Sequence, residues 1–378
     1  MDVSRGAALR VLFVSLQGIQ APGPRYRVFQ YLPRLQAMGI QPTVAVMQGA
    51  GSTRRSIEAP NAGSLARALH QAAVWARIHA FVARVMRRGR QFDRVYMYRV
   101  PVPGWAVPRL MRDRGRMLFD FDDALDRPEL DGGWLQGVRA GVVRRGFENA
   151  VRVCRTIVTS NERNAEVVRG LGGHAEVVPT TVDVSRAVVR DRAAAASPPA
   201  LGWIGTPSTA RYLREIEEPL RRVAAMRPVT LLLTGAGRNP FQDLAVELRD
   251  WSLETESADI GRFDIGLMPM PDTPWSSGKA ALKALEYAAS GAPTVASWTA
   301  TNQAILSGNA GAILCRNADE WVSALVRLID DNAERGERGG RARTWVTETY
   351  SVDRHAPRLC RVLTGERAGP PTAVQEKD

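Results

Sequence analysis

Arginine supplies nearly all of the positive charge in this chain, and only three lysines occur, Lys279, Lys283 and Lys377. Two of them fall in the run Ser277-Gly278-Lys279-Ala-Ala-Leu-Lys283-Ala-Leu-Glu286-Tyr287. A lysine ammonium is a compact point charge on a flexible stem, well suited to phosphate oxygens. The pattern predicts a strand over Ile265–Met268, a polar loop, and a helix over Gly278–Ser290. Backbone N–H groups at a helix start, with the positive end of its dipole, form a phosphate site. Spacings of four and three put Lys279, Lys283 and Glu286 on one helical face, where a carboxylate can accept hydrogen bonds from ribose hydroxyls. The same spacing also suits solvated ion pairs on a surface helix, and the residues alone leave both open.

Other candidates follow predicted strands in the same way. Gly205 and Thr206 follow an apolar run, with Arg211 a few residues on, and a guanidinium can hold phosphate in bidentate fashion. Thr234-Gly235-Ala-Gly-Arg238 allows close approach of backbone to a nucleotide, although a short Gly-x-Gly is often only a tight turn. In the first half, Gly23-Pro-Arg25-Tyr26-Arg27 opens a predicted helix, the glycine permitting close approach and the arginines adding charge. Asp120, Asp122 and Asp123 end another strand; alternation puts the first two on one face and Asp123 at the turn, suiting acceptor binding or helix capping. Asn161 follows a strand as a cleft residue or an N-cap. The four histidines pair with no Ser or Cys that would suggest a triad.

The elements that must position these residues alternate strand and helix, the pattern of parallel α/β sheets. Strands are predicted at 11–15, 43–47, 94–98, 117–121, 156–160 and 176–179. A second set covers 200–205, 230–234, 246–248, 265–268, 293–297 and 312–314. Helices are predicted at 25–38, 64–86, 104–112, 135–151, 162–171, 208–226, 278–290, 301–306, 320–332, 336–348 and 352–363. The Arg/Ala-rich stretch 184–199 reads as a linker, which gives a first domain over 1–184 and a second over 200–350. A helix at 352–364 is expected to return toward the first domain, followed by a disordered tail at 365–378. Ligands of doubly wound sheets sit at the carboxyl ends of the strands.

With 378 residues, a 45% hydrophobic fraction and 24% charged residues, the composition is that of a globular protein with material for two cores. A net charge of +12 favours anionic partners: a nucleotide diphosphate, nucleic acid or an anionic membrane face. Nucleic acid is not expected, because the charge is dispersed and no helix-turn-helix, RNA-recognition or zinc pattern occurs. The three cysteines lack disulfide or metal spacing, and neither a leader nor a bilayer-spanning stretch is evident. A cytoplasmic location is expected, with peripheral contact to an anionic membrane face left open.

Between Trp251 and Ser297 the chain resembles the retaining GT-B glycosyltransferases of the family 4 type. The likeness rests on Trp251-Ser-Leu-Glu-Thr-Glu256, Phe263-Asp-Ile-Gly-Leu-Met-Pro-Met270, Gly278-Lys279, Lys283, Glu286-Tyr287 and Gly291-Ala-Pro-Thr-Val-Ala-Ser297. Leu201–Tyr212 resembles the family's first strand and loop of the second domain, and Arg25-Tyr26-Arg27 a helix start in the first. The resemblance implies two Rossmann-like domains facing a central cleft and transfer of a sugar from a nucleotide-diphosphate sugar to an acceptor. Metal and cofactor are not implied. Glu286 matches the second member of the family's Glu-x7-Glu pair; the first falls at Gly278, which has no carboxylate. On this basis the donor set is Gly205, Thr206, Arg211, Gly235, Trp251, Ser277, Gly278, Lys279, Lys283 and Glu286. The acceptor set is Gly23, Arg25, Tyr26, Arg27 and Asn161, and the catalytic set is Asp122, Asp123 and Lys283. The donor phosphate itself would take the acceptor's proton. Alternatives are another GT-B enzyme, an epimerase or phosphorylase, or a non-enzymatic basic protein that binds nucleic acid.

Overall fold

A computed structural model describes residues 8–47, 64–127, 134–189, 198–308 and 311–366. Two six-stranded, all-parallel sheets organise the chain. The first contains β1 (Leu9–Ser15), β2 (Ile40–Val46), β3 (Arg94–Tyr98), β4 (Met117–Phe121), β5 (Thr156–Thr159) and β6 (Ala175–Val177), in the order β2-β1-β3-β4-β5-β6. The second contains β7 (Ala200–Ile204), β8 (Thr230–Thr234), β9 (Glu247–Arg249), β10 (Ile265–Met268), β11 (Thr294–Ser297) and β12 (Ile313–Cys315), in the order β12-β11-β10-β7-β8-β9. Each sheet reverses direction once, between β1 and β3 and between β7 and β10. Those reversals open the crevices in which doubly wound sheets hold ligands.

The central strands β4, β5, β7 and β10 are fully buried, as expected where helices cover both faces of a parallel sheet, while the edge strand β9 is largely exposed. Phe13 of β1 pairs with Val44 on one side and Tyr96 on the other, and its ring packs on Tyr96 at 5.2 Å. In the second sheet two glycines make room for aromatic rings. A Cβ on Gly202 would stand 1.9 Å from Phe263 Cγ, and one on Gly266 would stand 2.2 Å from Tyr287 Cδ2. The two rings meet edge to face at 5.8 Å. Both rings are buried and have nowhere to swing, so Gly266→Ala is expected to lose about 2–3 kcal/mol, the upper range for an overpacked core. A urea midpoint like that of the wild type would show instead that the sheet can re-space here.

Compact units divide the chain at Pro179/Thr180, ahead of the 184–199 stretch where the composition changes. The reason is local bonding. Val182 N–H donates to the Tyr350 carbonyl at 3.0 Å, Val352 N–H donates back to Val182 at 3.0 Å, and Ser257 Oγ donates to the Arg186 carbonyl at 2.6 Å, tying 182–186 to the second unit. From His355 onward the helix Val352–Thr364 belongs with the first unit. There Arg94 Nε donates to the Leu363 carbonyl at 3.0 Å. Residues 367–378 of the expected tail, and 190–197 of the expected linker, lie outside the described residues.

Three expected helices are divided. The segment 25–38 forms Pro22–Arg27 and Leu32–Ala37 with a 3-10 turn between them. The segment 208–226 forms Pro207–Ala210, a 3-10 stretch and Glu217–Met226. The segment 278–290 reduces to Leu282–Ala289. A short helix at Glu256–Gly261 was not evident from periodicity. Among the described residues no helix is long and apolar enough to cross a membrane.

Candidate functional site

In the second unit the loop after β10 is held by its own side chains. Thr273 N–H donates to Ser276 Oγ at 2.9 Å, Ser276 Oγ donates to the Thr273 carbonyl at 2.8 Å, and Ser277 Oγ donates to the Pro274 carbonyl at 2.7 Å. Met270 N–H donates to Ser297 Oγ at 3.1 Å and Thr301 Oγ1 to the Ser276 carbonyl at 3.2 Å, fastening the loop to β11 and the helix after it. Gly278 is buried and closes a 3-10 turn in which Lys279 N–H donates to the Ser276 carbonyl at 3.0 Å. Lys279 is therefore extended backbone ahead of the helix, and it does not share a helical face with Lys283 and Glu286 as its spacing suggested. Ala281, at φ 50°, turns the chain into the helix. A left-handed alanine costs on the order of 1–2 kcal/mol, and such strain concentrates at sites where geometry matters.

Despite the broken helix, Lys279 still stands near enough to Lys283 for the two charges to repel. Lys279 Nζ lies 3.5 Å from the Trp275 ring centroid, and Lys283 Nζ lies 5.6 Å from that of Trp203. Burial, with Lys279 nearby, pushes the Lys283 ammonium down to about 8 against the opposing pull of Glu286. Tyr287, one turn after Lys283, fixes the helix. Its hydroxyl donates to the Leu267 carbonyl and accepts from Ile204 N–H, both at 3.2 Å, spanning β10 and β7 at the sheet reversal. Ala284 and Leu285 N–H donate to the Ala281 carbonyl at 3.0 and 3.3 Å, while the N–H groups of Leu282 and Lys283 come before any intrahelical acceptor.

The glycines around β7 and β8 serve packing rather than a phosphate cradle. Gly205 N–H donates to the Thr234 carbonyl at 3.0 Å and Gly235 N–H to the Arg249 carbonyl at 2.8 Å, so both extend the ladder. A Cβ on Gly235, which sits at φ 78°, would stand 2.3 Å from the Gly205 oxygen. Thr206 caps the short helix Pro207–Ala210, its N–H donating to Thr209 Oγ1 at 3.2 Å. Trp251 packs beside this spot and its Nε1 donates to Glu256 Oε2 at 2.6 Å. Arg211 is exposed, its guanidinium 5.1 Å over the Tyr212 ring.

In the first unit the expected acceptor residues separate into two groups. Arg27 is fully buried, with Nε and Nη2 on the Asp120 carboxylate at 3.0 and 2.6 Å and Nη1 on the Val178 carbonyl at 2.6 Å. Tyr96 hydroxyl donates to the same carboxylate at 2.7 Å. Arg27 and Asp120 thus hold the core together, and a guanidinium so enclosed does not reach a ligand. Arg25 lies over the Tyr26 ring at 4.8 Å, both being largely buried. Asn161 caps the helix Glu162–Gly170, accepting from Asn164 N–H at 2.9 Å.

The second group surrounds the sheet reversal. A Cβ on Gly23 would stand 2.2 Å from the Tyr98 hydroxyl, which donates to Asp122 Oδ1 at 2.7 Å. Arg99 pairs with Asp123 and lies 3.6 Å from Asp122. Burial and the adjacent Asp123 hold the Asp122 carboxyl above the ordinary carboxylate range, with Arg99 pulling the other way. Arg99 has φ 51°, and with Ala281 it completes the set of non-glycine residues at positive φ among the described ones. Residue types and spacing alone do not single out Tyr98, Arg99, Trp203 or Trp275. A residue directly after a strand at a sheet reversal is the signal that would have found Arg99. Among the described residues no group of three or more His, Cys, Asp and Glu side chains could hold a metal ion.

No family model matches the chain, and no curated protein matches it. Solved structures do. Sucrose-phosphate synthase of Thermosynechococcus elongatus aligns over 94% of this chain and 98% of its own, at 15% identity and a TM-score of 0.69. HepE of Anabaena, solved with UDP-glucose, aligns over 94% of this chain and 100% of its own, at 13% identity and a TM-score of 0.62. An α-glucosyltransferase solved with UDP and a 13-mer DNA aligns over 94% of this chain and 100% of its own, at 11% identity and a TM-score of 0.63. The fold is GT-B. In GT-B terms β7–β12 form the second Rossmann-like sheet, with Lys279, Lys283 and Glu286 at the β7/β10 reversal; β1–β6 form the first, with Tyr98, Arg99, Asp122 and Asp123 at the β1/β3 reversal.

Proposed function

We propose that this protein is a glycosyltransferase that moves a sugar from a nucleotide-diphosphate sugar to an acceptor with retention and without a metal. The observation that carries this is local. In a chain that otherwise uses arginine, the two internal lysines converge on one GT-B sheet reversal, at the start of a helix whose first two N–H groups precede any intrahelical acceptor and one turn from Glu286. HepE and the α-glucosyltransferase, whose solved complexes contain UDP-glucose or UDP, support a donor of this kind. Lys279, Lys283 and the N–H groups of residues 280–283 would meet the diphosphate, and Glu286 the donor's hydroxyls. Donor phosphate then takes the acceptor's proton, so catalysis rests on positioning and on stabilising the leaving diphosphate. In the first unit, Asp122 and Asp123, held by Tyr98 and Arg99, would orient acceptor hydroxyls.

Thermal stabilisation by a panel of nucleoside diphosphates and their sugars tests the reading. One base is expected to stabilise the protein strongly, and a uniform absence of any shift would overturn the donor assignment.

The Lys283 ammonium adds a pH signature. It carries its charge below about 8 and loses it above, so diphosphate affinity should fall as pH rises through that value. Affinity at pH 9 should be roughly 10-fold weaker than at pH 7, as for one essential proton lost near pH 8. The unliganded fold moves the other way. Between the folded value and the unfolded one the unfolded chain binds more protons, so this group's contribution to stability rises with pH. Titration calorimetry at the two pH values checks the affinity; Lys283→Arg should flatten the profile.

A further inference from the structure

The first unit contains a second concave feature, lined in part by Pro101–Trp105, the segment that follows β3. Helices Ser64–Arg88 and Trp134–Val153 pack into the same core over the sheet. At 25 and 20 residues they extend about 37 and 30 Å, whereas the five-residue strands β3 and β4 reach only about 17 Å. The helix Val107–Arg112, which packs beside Trp134–Val153, has six residues and cannot fill the overhang. A cavity of about 550 Å³ remains, a size typical of small-molecule sites.

Its walls carry a specific chemistry. Trp75 and His79 come from one helix, Trp105 from the turn after β3, and Val138, Val142 and Arg145 from the other helix. Trp105 Nε1 faces His79 Nδ1 at 3.4 Å, which sets the two rings at 60° to each other. Trp105, Val138 and Val142 are 50%, 54% and 40% exposed, so three large apolar side chains meet water around one cavity. Exposed apolar clusters of this kind mark binding sites. Of the charged side chains lining the cavity, Arg144 and Arg145 outnumber Glu148, which Arg144 Nε holds at 2.9 Å, so the net charge of the wall is positive. Gly141 also lines the cavity in mid-helix, and a Cβ there would touch nothing within 4 Å. Glycine is a poor helix former, and packing does not require it here; its effect is to keep the space open.

We propose that this cavity is a second binding site, for a monomeric anionic amphiphile. The apolar or aromatic body lies between Trp75, Trp105, Val138 and Val142, and a terminal phosphate or carboxylate meets Arg144 and Arg145. The proposal does not rest on the sugar-transfer reading.

Dodecyl phosphate below its micelle concentration is the probe, measured by calorimetry and by displacement of anilinonaphthalene sulfonate. Dodecanol, dodecyltrimethylammonium and anionic phospholipid vesicles serve as parallel arms. The wild type should bind the phosphate at least 10-fold more tightly than the alcohol and bind the cationic analogue least. Gly141→Leu should fill the cavity and weaken binding at least 10-fold with an unchanged or higher melting temperature. Arg144→Gln/Arg145→Gln should abolish the preference for phosphate over alcohol, and this variant decides the matter should Gly141→Leu fail to fold. Nucleotide stabilisation should be unchanged in both variants. Binding to vesicles alone, equal binding of alcohol and phosphate, or undiminished binding by a folded Gly141→Leu would each overturn the proposal.

Discussion

Lys283→Ala is expected to abolish thermal stabilisation by the cognate nucleoside diphosphate and to lower kcat/KM by roughly 10²- to 10³-fold, the range for removing one preorganised group that stabilises developing charge. The ammonium is half-buried, with Trp203 beneath it and Lys279 beside it, so no solvent ion can replace it cheaply. Lys279→Ala should cost less, because that side chain rests on Trp275 in the unliganded protein and must leave the ring to reach phosphate. Its loss therefore removes binding that has already been partly offset. Glu286→Gln should spare binding of inorganic pyrophosphate and weaken that of nucleoside diphosphate and sugar nucleotide alike, which separates the phosphate contacts from the ribose contacts. Full activity in Lys283→Ala would sink the donor assignment whatever the nucleotide panel showed.

The central strands β4, β5, β7 and β10 could be read from the sequence because burial on both faces makes each a short, mostly apolar run, whereas the edge strand β9, Glu-Leu-Arg, was legible only from its place in the strand-helix alternation. The helices were less legible where local chemistry interrupted periodicity. At 278–281, Ser276 and Thr273 bond to each other's backbone, and this competing turn removes four residues from a segment whose composition favours helix. That is why Lys279 does not share the helical face of Lys283 and Glu286, although its charge still reaches Lys283. Glycine positions misled in a related way. Gly205 and Gly235 suggested a cradle, but a sequence does not reveal whether a glycine's N–H is spent in a sheet ladder. Arg27 is the sharpest case: arginine beside a glycine-rich loop suggests a ligand contact, and only its partner 93 residues away shows that the charge is buried.

Arg27→Leu should destabilise the first unit by about 3–5 kcal/mol, the usual penalty for deleting one partner of a buried ion pair. For a unit of this size that is a fall of roughly 10 °C in its melting temperature. The cost arises less from the lost bonds than from what stays behind. Asp120 would remain wholly buried with only part of its hydrogen bonding left, from the Tyr96 hydroxyl, and the Val178 carbonyl would lose the guanidinium. Arg27→Leu/Asp120→Asn should therefore recover part of the loss, since it removes the stranded charge. A ligand-contact role for Arg27 makes the opposite forecast: weakened acceptor use at normal stability, and no rescue by the second change. Calorimetry with and without nucleotide separates the two, because the diphosphate should still stabilise the second unit of the single variant below the lowered transition. The same comparison tests whether the core ion pair and the lysine site act independently, as expected for groups that share no partner.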